Sequence, residues 1–136
     1  MNSRVTAGYS GTPLPKKLGI RENSRVVLVH PPDQFERKLK PIPPGADIVD
    51  HPSRSNVAVL FVKSEAEMIR EVRALAKKLP EKVAFWIAWP KQASGIQTDL
   101  KEGVVREFGL AQGWVDYKIC AIDEIWSGLC FARRQN

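Results

Sequence analysis

The chain has 136 residues, 43% of them hydrophobic and 26% charged, with a formal net charge of +6 and a pI near 9.6. That length suits one domain, and a chain of this composition buries enough surface to fold without disulfides or metal, which excludes wholesale disorder and a disulfide-stapled mini-protein. No apolar run approaches the roughly 20 residues that span a bilayer, and the opening MNSRVTAGYSG lacks the apolar stretch of a signal peptide, so the expected location is cytoplasmic with no membrane partner.

The positive excess gathers at the ends. Arg4, Lys16, Lys17, Arg21 and Arg25 face only Glu22 in the first 25 residues, and Arg133 and Arg134 stand near the other terminus. This distribution suits attraction to phosphates or nucleic acid, and equally a solvated basic surface. Residues 1–24 are expected to form a basic arm with a short helix, and residues 25–136 a single Rossmann-like α/β domain. In the arm, Thr12 is placed to cap that helix, with Pro13 at its first position and Gly19 as its left-handed stop.

Arg25-Val26-Val27-Leu28-Val29-His30 is a nearly unbroken apolar run of strand length, the mark of a strand buried on both faces, and Pro31-Pro32 ends it. Asp33 with Glu36 resembles a capping pair before a short helix carrying Phe35 and Leu39. Pro41 to Gly45 breaks that helix. Ala46 to Asp50 is a short strand, and His51-Pro52-Ser53-Arg54-Ser55 a turn leading into the buried strand Val57 to Val62.

Ser64 and Glu67 form a capping box, behind which Ile69, Val72, Leu75, Ala76 and Leu79 recur at helical spacing. Charged residues on the other faces of that helix suit solvent. Val83 to Trp89 is the third central strand, stopped by Pro90. After a loop from Lys91 to Gln97, Thr98 caps a helix with Leu100, Val104, Phe108 and Ala111 on one face, and Gly109 and Gly113 loosen its end. Val115 to Ile122 and Leu129 to Arg134 are two strands joined by residues 123–128, an antiparallel terminal hairpin.

Apolar strands alternating with amphipathic helices predict a three-layer, Rossmann-like open sheet, mostly parallel, with a C-terminal antiparallel strand pair. From Val57 onward the layout resembles the second half of a class I methyltransferase fold. The turn after the first strand departs from that pattern. A glycine-rich turn lets backbone amides approach a cofactor, whereas His30-Pro31-Pro32-Asp33 contains no glycine and two residues without an N–H. No cofactor is indicated by motif; Asp50, after the second strand, imitates a ribose-binding acid only weakly.

Three further segments, Gly8 to Leu14 with Lys16 to Gly19, Trp89-Pro90-Lys91 with Ser94-Gly95 and Thr98 to Leu100, and Asp123-Glu124 with Trp126 to Leu129, resemble a family of short bacterial proteins defined as a domain of unknown function. The resemblance implies a Rossmann-like fold and a bacterial origin, and carries no activity over.

With only His30 and His51, a site of several histidines is excluded. Cys120 and Cys130 lack CxxC spacing and sit in strand-like segments, where a reduced thiol behaves as a small hydrophobe. G-x-S-x-G and P-loop patterns are absent, and Ser10, beside Gly11, precedes the first strand instead of following one.

Ligands of open parallel sheets bind beyond the carboxyl ends of the strands. There the sequence places His30, Lys63, Ser64, Trp89, Lys91, Ser94 and Gly95, a set of ring, cations, hydroxyls and two helix starts suited to a planar anion. The same residues also serve as caps and core. His30 is the one acid–base candidate at a central strand end, since imidazole is the side chain suited to proton transfer near neutral pH. Asp123, Glu124 and Trp126 form a second cluster, and Ser10, Thr12, Lys16 and Lys17 complete the candidates through the basic arm.

Three functions follow, in this order. The first is a binding or regulatory module without the dinucleotide or S-adenosylmethionine loop. The second is a methyltransferase-like enzyme acting on a nucleotide or other anionic metabolite. The third is nucleic-acid binding through the basic arm, with Tyr9 or Trp126 stacking on bases. The expected partner is a small anionic ligand, with a protein partner or a homodimer through an edge strand as the alternative.

Overall fold

A computed structural model describes residues 11–135. Strand β1 (Arg25–Val29) is followed by a 3-10 turn (Phe35–Leu39), the short β2 (Asp47–Ile48), β3 (Val57–Phe61), helix α2 (Glu65–Ala76), β4 (Ala84–Pro90), α3 (Glu102–Ala111), β5 (Trp114–Ala121) and β6 (Trp126–Arg133). The one-turn helix α1 (Leu14–Lys17) precedes them. One six-stranded sheet has the order β2-β1-β3-β4-β6-β5. β1 to β4 pair in parallel, and β6 runs antiparallel to both its neighbours.

The apolar runs become central strands because both faces of the sheet are covered. All of β3 is buried. On one face Ala58, Leu60, Phe85, Ile87, Trp89, Leu129 and Phe131 pack under α2 and α3, which contribute Met68, Val72, Leu75 and Val105. On the other, Val57, Val59, Phe61, Trp86, Ala88 and Cys130 meet Leu18, Ile20, Phe35, Leu39 and Trp126. This second layer is thin, built from α1 and the 3-10 turn. The Trp86 indole N–H donates to the Leu18 carbonyl at 3.0 Å, so residues 14–20 are joined to the sheet.

Several boundaries differ from expectation. α1 begins after Pro13 with no side-chain cap, so Thr12 does not cap it, while Gly19 does take φ 78 as its stop. Asp33 and Glu36 do not form a capping box: Gln34 precedes a 3-10 turn, and the Phe35 N–H donates to the Pro32 carbonyl. α3 starts at Glu102, because the Thr98 hydroxyl accepts the Leu100 N–H in a local turn. Gly109 lies inside α3 against Phe131 instead of loosening the helix end. β5 and β6 start at Trp114 and Trp126, which shortens their connection to residues 122–125.

Arg133 adds a long-range closure. Its guanidinium donates to the carbonyls of Ala76 and Leu79, both at 2.9 Å, and lies 4.5 Å from the Trp114 ring, capping the C-terminal end of α2 with a cation.

Candidate functional site

β1 and β3 lie side by side, but the chain leaves β1 towards β2 and leaves β3, through α2, towards β4 on the other side. Their carboxyl ends diverge, and a crevice opens there in sheets of this type. A hollow of about 280 Å³ occupies that point, lined by His30, Pro31, Pro32, Phe61, Lys63, Glu67 and Trp126.

Each wall has a local cause. His30 takes a left-handed φ of 56, turning the chain away from β1 before the two prolines. Its Nε2 stands 3.0 Å from Glu71 Oε1 on α2, with the imidazole half exposed. The His30 bond holds the Glu71 carboxyl below its ordinary range against a smaller opposing effect of burial, and Arg70 adds to the lowering. Trp126 is buried and meets Phe61 edge-on at 5.1 Å between centroids, and Phe61 meets Phe35 at 4.8 Å. These rings make an apolar floor. Lys63 is exposed at the mouth, its N–H donated to Glu67 Oε1 at 2.8 Å.

The start of α2 is not open to an anion. Ser64 Oγ accepts the Glu67 N–H at 3.1 Å, and the Glu65 N–H donates to Asp99 Oδ1 at 2.8 Å. The chain's own carboxylates therefore occupy the positive end of the helix. Trp89 faces the α2/α3 core, since its alternation along β4 matches Phe85 and Ile87. Lys91 donates its N–H to the Ile125 carbonyl at 2.7 Å. Ser94 donates to the Lys91 carbonyl and accepts the Ile96 N–H, with Gly95 left-handed after it, so both build a turn. Asp50 borders a different hollow, of about 310 Å³, on the α2 side of β1.

Of the predicted site residues the structure thus brings His30, Lys63 and Trp126 together. Thr12, Lys16 and Lys17 line a separate groove beside β5, Glu124 is exposed on the hairpin connection, and Ser10 lies outside the described residues. Sequence reasoning missed Glu67, which lines the crevice, and Glu71, which borders the neighbouring hollow and holds His30. Their spacing of one helical turn puts them on one face of α2, but nothing local says that this face meets His30.

Asp123 ties the hairpin connection together. Its Oδ1 accepts the N–H groups of Ile125 and Trp126, both at 2.8 Å, and its Oδ2 meets Lys38 at 2.7 Å. Burial pushes its carboxyl up, but Lys38 and the two N–H groups together leave it below its ordinary value. A carboxyl depressed on folding contributes stability that is present above its unfolded pKa near 4 and lost as the pH falls through the lower folded value. Asp123→Asn is expected to cost about 1–2 kcal/mol at neutral pH. Thermal unfolding of both proteins across the acid range should show that gap closing below about pH 4; a gap independent of pH would refute the charged pairing.

Both cysteines are free thiols. Burial pushes Cys130 up to about 11 and raises Cys120 against the pull of Lys17, Lys118 and Lys91, so neither is a thiolate nucleophile near neutrality. Among the described residues no three His, Cys, Asp or Glu side chains are grouped to hold a metal ion, and no helix is long and apolar enough to cross a membrane.

The sheet order, the single antiparallel strand β6 and the crevice between β1 and β3 define a methyltransferase-like Rossmann fold. Solved structures bear this out. The chain is similar to the tRNA methyltransferase TrmK of B. subtilis, with a TM-score of 0.52 and 10% identity over 95% of this chain and 68% of that one. An uncharacterized protein from Listeria monocytogenes serotype 4b aligns with a TM-score of 0.52 and 10% identity, over 90% of this chain and 67% of that one. A protein of the NADB-Rossmann superfamily from Streptococcus agalactiae aligns over 100% of this chain and 72% of that one, with a TM-score of 0.52 and 8% identity. At such identities the likeness is one of fold. No family model and no curated protein matches the sequence.

Proposed function

We propose that the chain is a small-ligand-binding or regulatory module on a methyltransferase-like Rossmann scaffold, taking an anionic metabolite at the β1/β3 crevice in place of S-adenosylmethionine or a dinucleotide. The turn His30-Pro31-Pro32 carries this reading. It supplies no glycine for close approach, and its prolines offer no backbone N–H to a cofactor's phosphates or carboxylate, so an anion there is held by side chains instead. The hollow above it, about 280 Å³, sits at the lower limit of ligand pockets and suits a compact molecule. Lys63 and His30 supply donors at the mouth, and the ring floor excludes water beneath.

A second reading, an enzyme acting on that metabolite, is favoured by the His30–Glu71 pair at 3.0 Å, where a carboxylate orients an imidazole as in acid–base sites. A positive φ at a non-glycine strand end is also the kind of strain that gathers at functional positions.

A thermal-shift screen at low salt with small carboxylates, sugar phosphates, nucleotides, S-adenosylmethionine and nicotinamide dinucleotide tests both. A compact anion at about 100 times its dissociation constant should add roughly 2.7 kcal/mol, a shift of several degrees, and Lys63→Ala should remove it. Stabilisation by S-adenosylmethionine instead would overturn the proposal. Turnover of the bound metabolite with a pH profile lost in His30→Gln would establish the enzyme.

A further inference from the structure

A second feature lies away from the crevice, where α1 runs beside the edge strand β5. Two hollows there share Lys118 in their linings. One, of about 500 Å³, lies between Lys16 and Lys17 of α1 and residues 118–121 of β5; the other, of about 290 Å³, holds Arg21, Tyr117 and Lys118 over Trp86. Among the described residues, four cations and no carboxylate line the two together. The crevice at β1/β3 differs, since there Lys63 shares its wall with Glu67.

The backbone of β5 is shaped for this groove. Its register on β6 shifts between Asp116 and Lys118, leaving Tyr117 in a bulge. The Tyr117 phenol oxygen accepts the Cys130 S–H at 3.2 Å, and the Lys118 ammonium lies 6.0 Å from the Trp86 ring centroid. Cys130 and Trp86 belong to one face of the sheet. Successive residues of a regular strand point to opposite faces, so the bulge is what brings an aromatic ring and a cation to the same side. The Tyr117 residue is 59% exposed. Burial of its hydroxyl end raises the phenol pKa, so it adds no negative charge to the groove. Lys17 Nζ donates to the Ala121 carbonyl at 2.9 Å and fixes α1 along β5, so the walls are set in advance.

We propose that this groove binds single-stranded nucleic acid, with Lys16, Arg21 and Lys118 on phosphates and the Tyr117 ring stacked on a base. Protection of an exposed sheet edge accounts for a bulge and one lysine. It does not account for Lys16 and Arg21 arrayed along the opposite wall. An acidic peptide would satisfy the cations but has no use for an exposed ring, and a base paired inside a duplex has no free face to offer it. The site is separate from the β1/β3 crevice and does not depend on what that crevice binds.

The test is fluorescence anisotropy of a labelled single strand of about 12 nucleotides with the whole chain over a salt series. The same sequence as a duplex, inorganic polyphosphate and phosphatidylserine vesicles serve as competitors. The single strand should compete best, and Lys16→Gln with Lys118→Gln should reduce the log–log salt slope by about 1.4, near 0.7 for each phosphate contact. Tyr117→Leu should weaken the single strand by about tenfold and leave polyphosphate binding unchanged, while Tyr117→Phe, which keeps the ring, should bind as the parent does. Thermal unfolding of each variant checks that it is folded. Absent binding, an unchanged slope in the double lysine variant, equal affinity of Tyr117→Leu, or stronger competition by polyphosphate or vesicles would each overturn the assignment.

Discussion

Trp86→Ala is expected to cost about 3–5 kcal/mol, a large part of the roughly 5–15 kcal/mol that holds a domain together. The indole is 1% exposed in the central strand β4, between Val59 of β3 and Cys130 of β6 in register. A side chain at Gly128 would meet its Cε3 at 3.1 Å, so the ring fills the space that this glycine leaves. Removing it opens a cavity beneath the thin layer formed by α1, and also leaves the Leu18 carbonyl without its indole donor. Trp86→Phe separates the two effects: it keeps most of the volume but loses the hydrogen bond, and should cost about 1–3 kcal/mol. In that variant the amide of Ile20, which donates to the Pro15 carbonyl, should exchange faster while those of β4 stay protected. Denaturant titration measures the first quantity and hydrogen exchange the second. A fully stable Trp86→Ala protein would mean that the α1 segment does not rest on the sheet through this ring.

The elements that were legible in the sequence are those whose signal is local. β1, β3 and β4 read as unbroken apolar runs because both of their faces are buried, and α2 announced itself because Ser64 does accept the Glu67 N–H. Other capping signals misled. Thr98 spends its hydroxyl on Leu100, and Asp33 precedes a segment held in a 3-10 turn, since a side chain that caps a helix serves a tight turn equally well. Trp86 and Trp89 lie three residues apart in one apolar run, and alternation puts them on opposite faces. Which face carries α2 and α3 is decided by crossovers far along the chain, so Trp89 looked like a site residue and is core.

The candidate site was only partly legible for the same reason. His30 and Lys63 were recoverable from their places at strand ends. The partners that define their chemistry come from distant segments: Glu71 for His30, Asp99 for the start of α2, and Lys38 for Asp123. No spacing pattern encodes pairs formed only when the sheet closes. The groove beside β5 was foreshadowed by the charge on the arm, whereas the bulge that aims Tyr117 depends on the register with β6.

Gly109→Ala reverses the usual effect of filling a helix glycine. Alanine is favoured over glycine inside a helix by about 1 kcal/mol, and at Gly103, in the first turn of the same helix, a Cβ meets nothing within 4 Å. Gly103→Ala should therefore leave stability unchanged or raise it slightly. At Gly109 the new Cβ would stand under 3 Å from three atoms of the Phe131 ring, 2.6 Å from Cζ and 2.9 Å from Cδ2 among them. Phe131 is fully buried on β6, in register with Phe85 on one side and Asp116 on the other, so the ring has no room to retreat. α3 must lift instead, and with it Val105, which packs in the same core. The overpacking, at the upper end of about 1–3 kcal/mol, should exceed the gain in propensity and leave the variant less stable by about 1–2 kcal/mol. Adding Phe131→Leu, which shortens the obstruction, should recover part of that loss, so the two changes will be non-additive in a double-mutant cycle. Equilibrium unfolding of the four proteins measures the coupling. Stabilisation by Gly109→Ala comparable to that at Gly103 would show that α3 and the Phe131 ring leave room for a Cβ at this position.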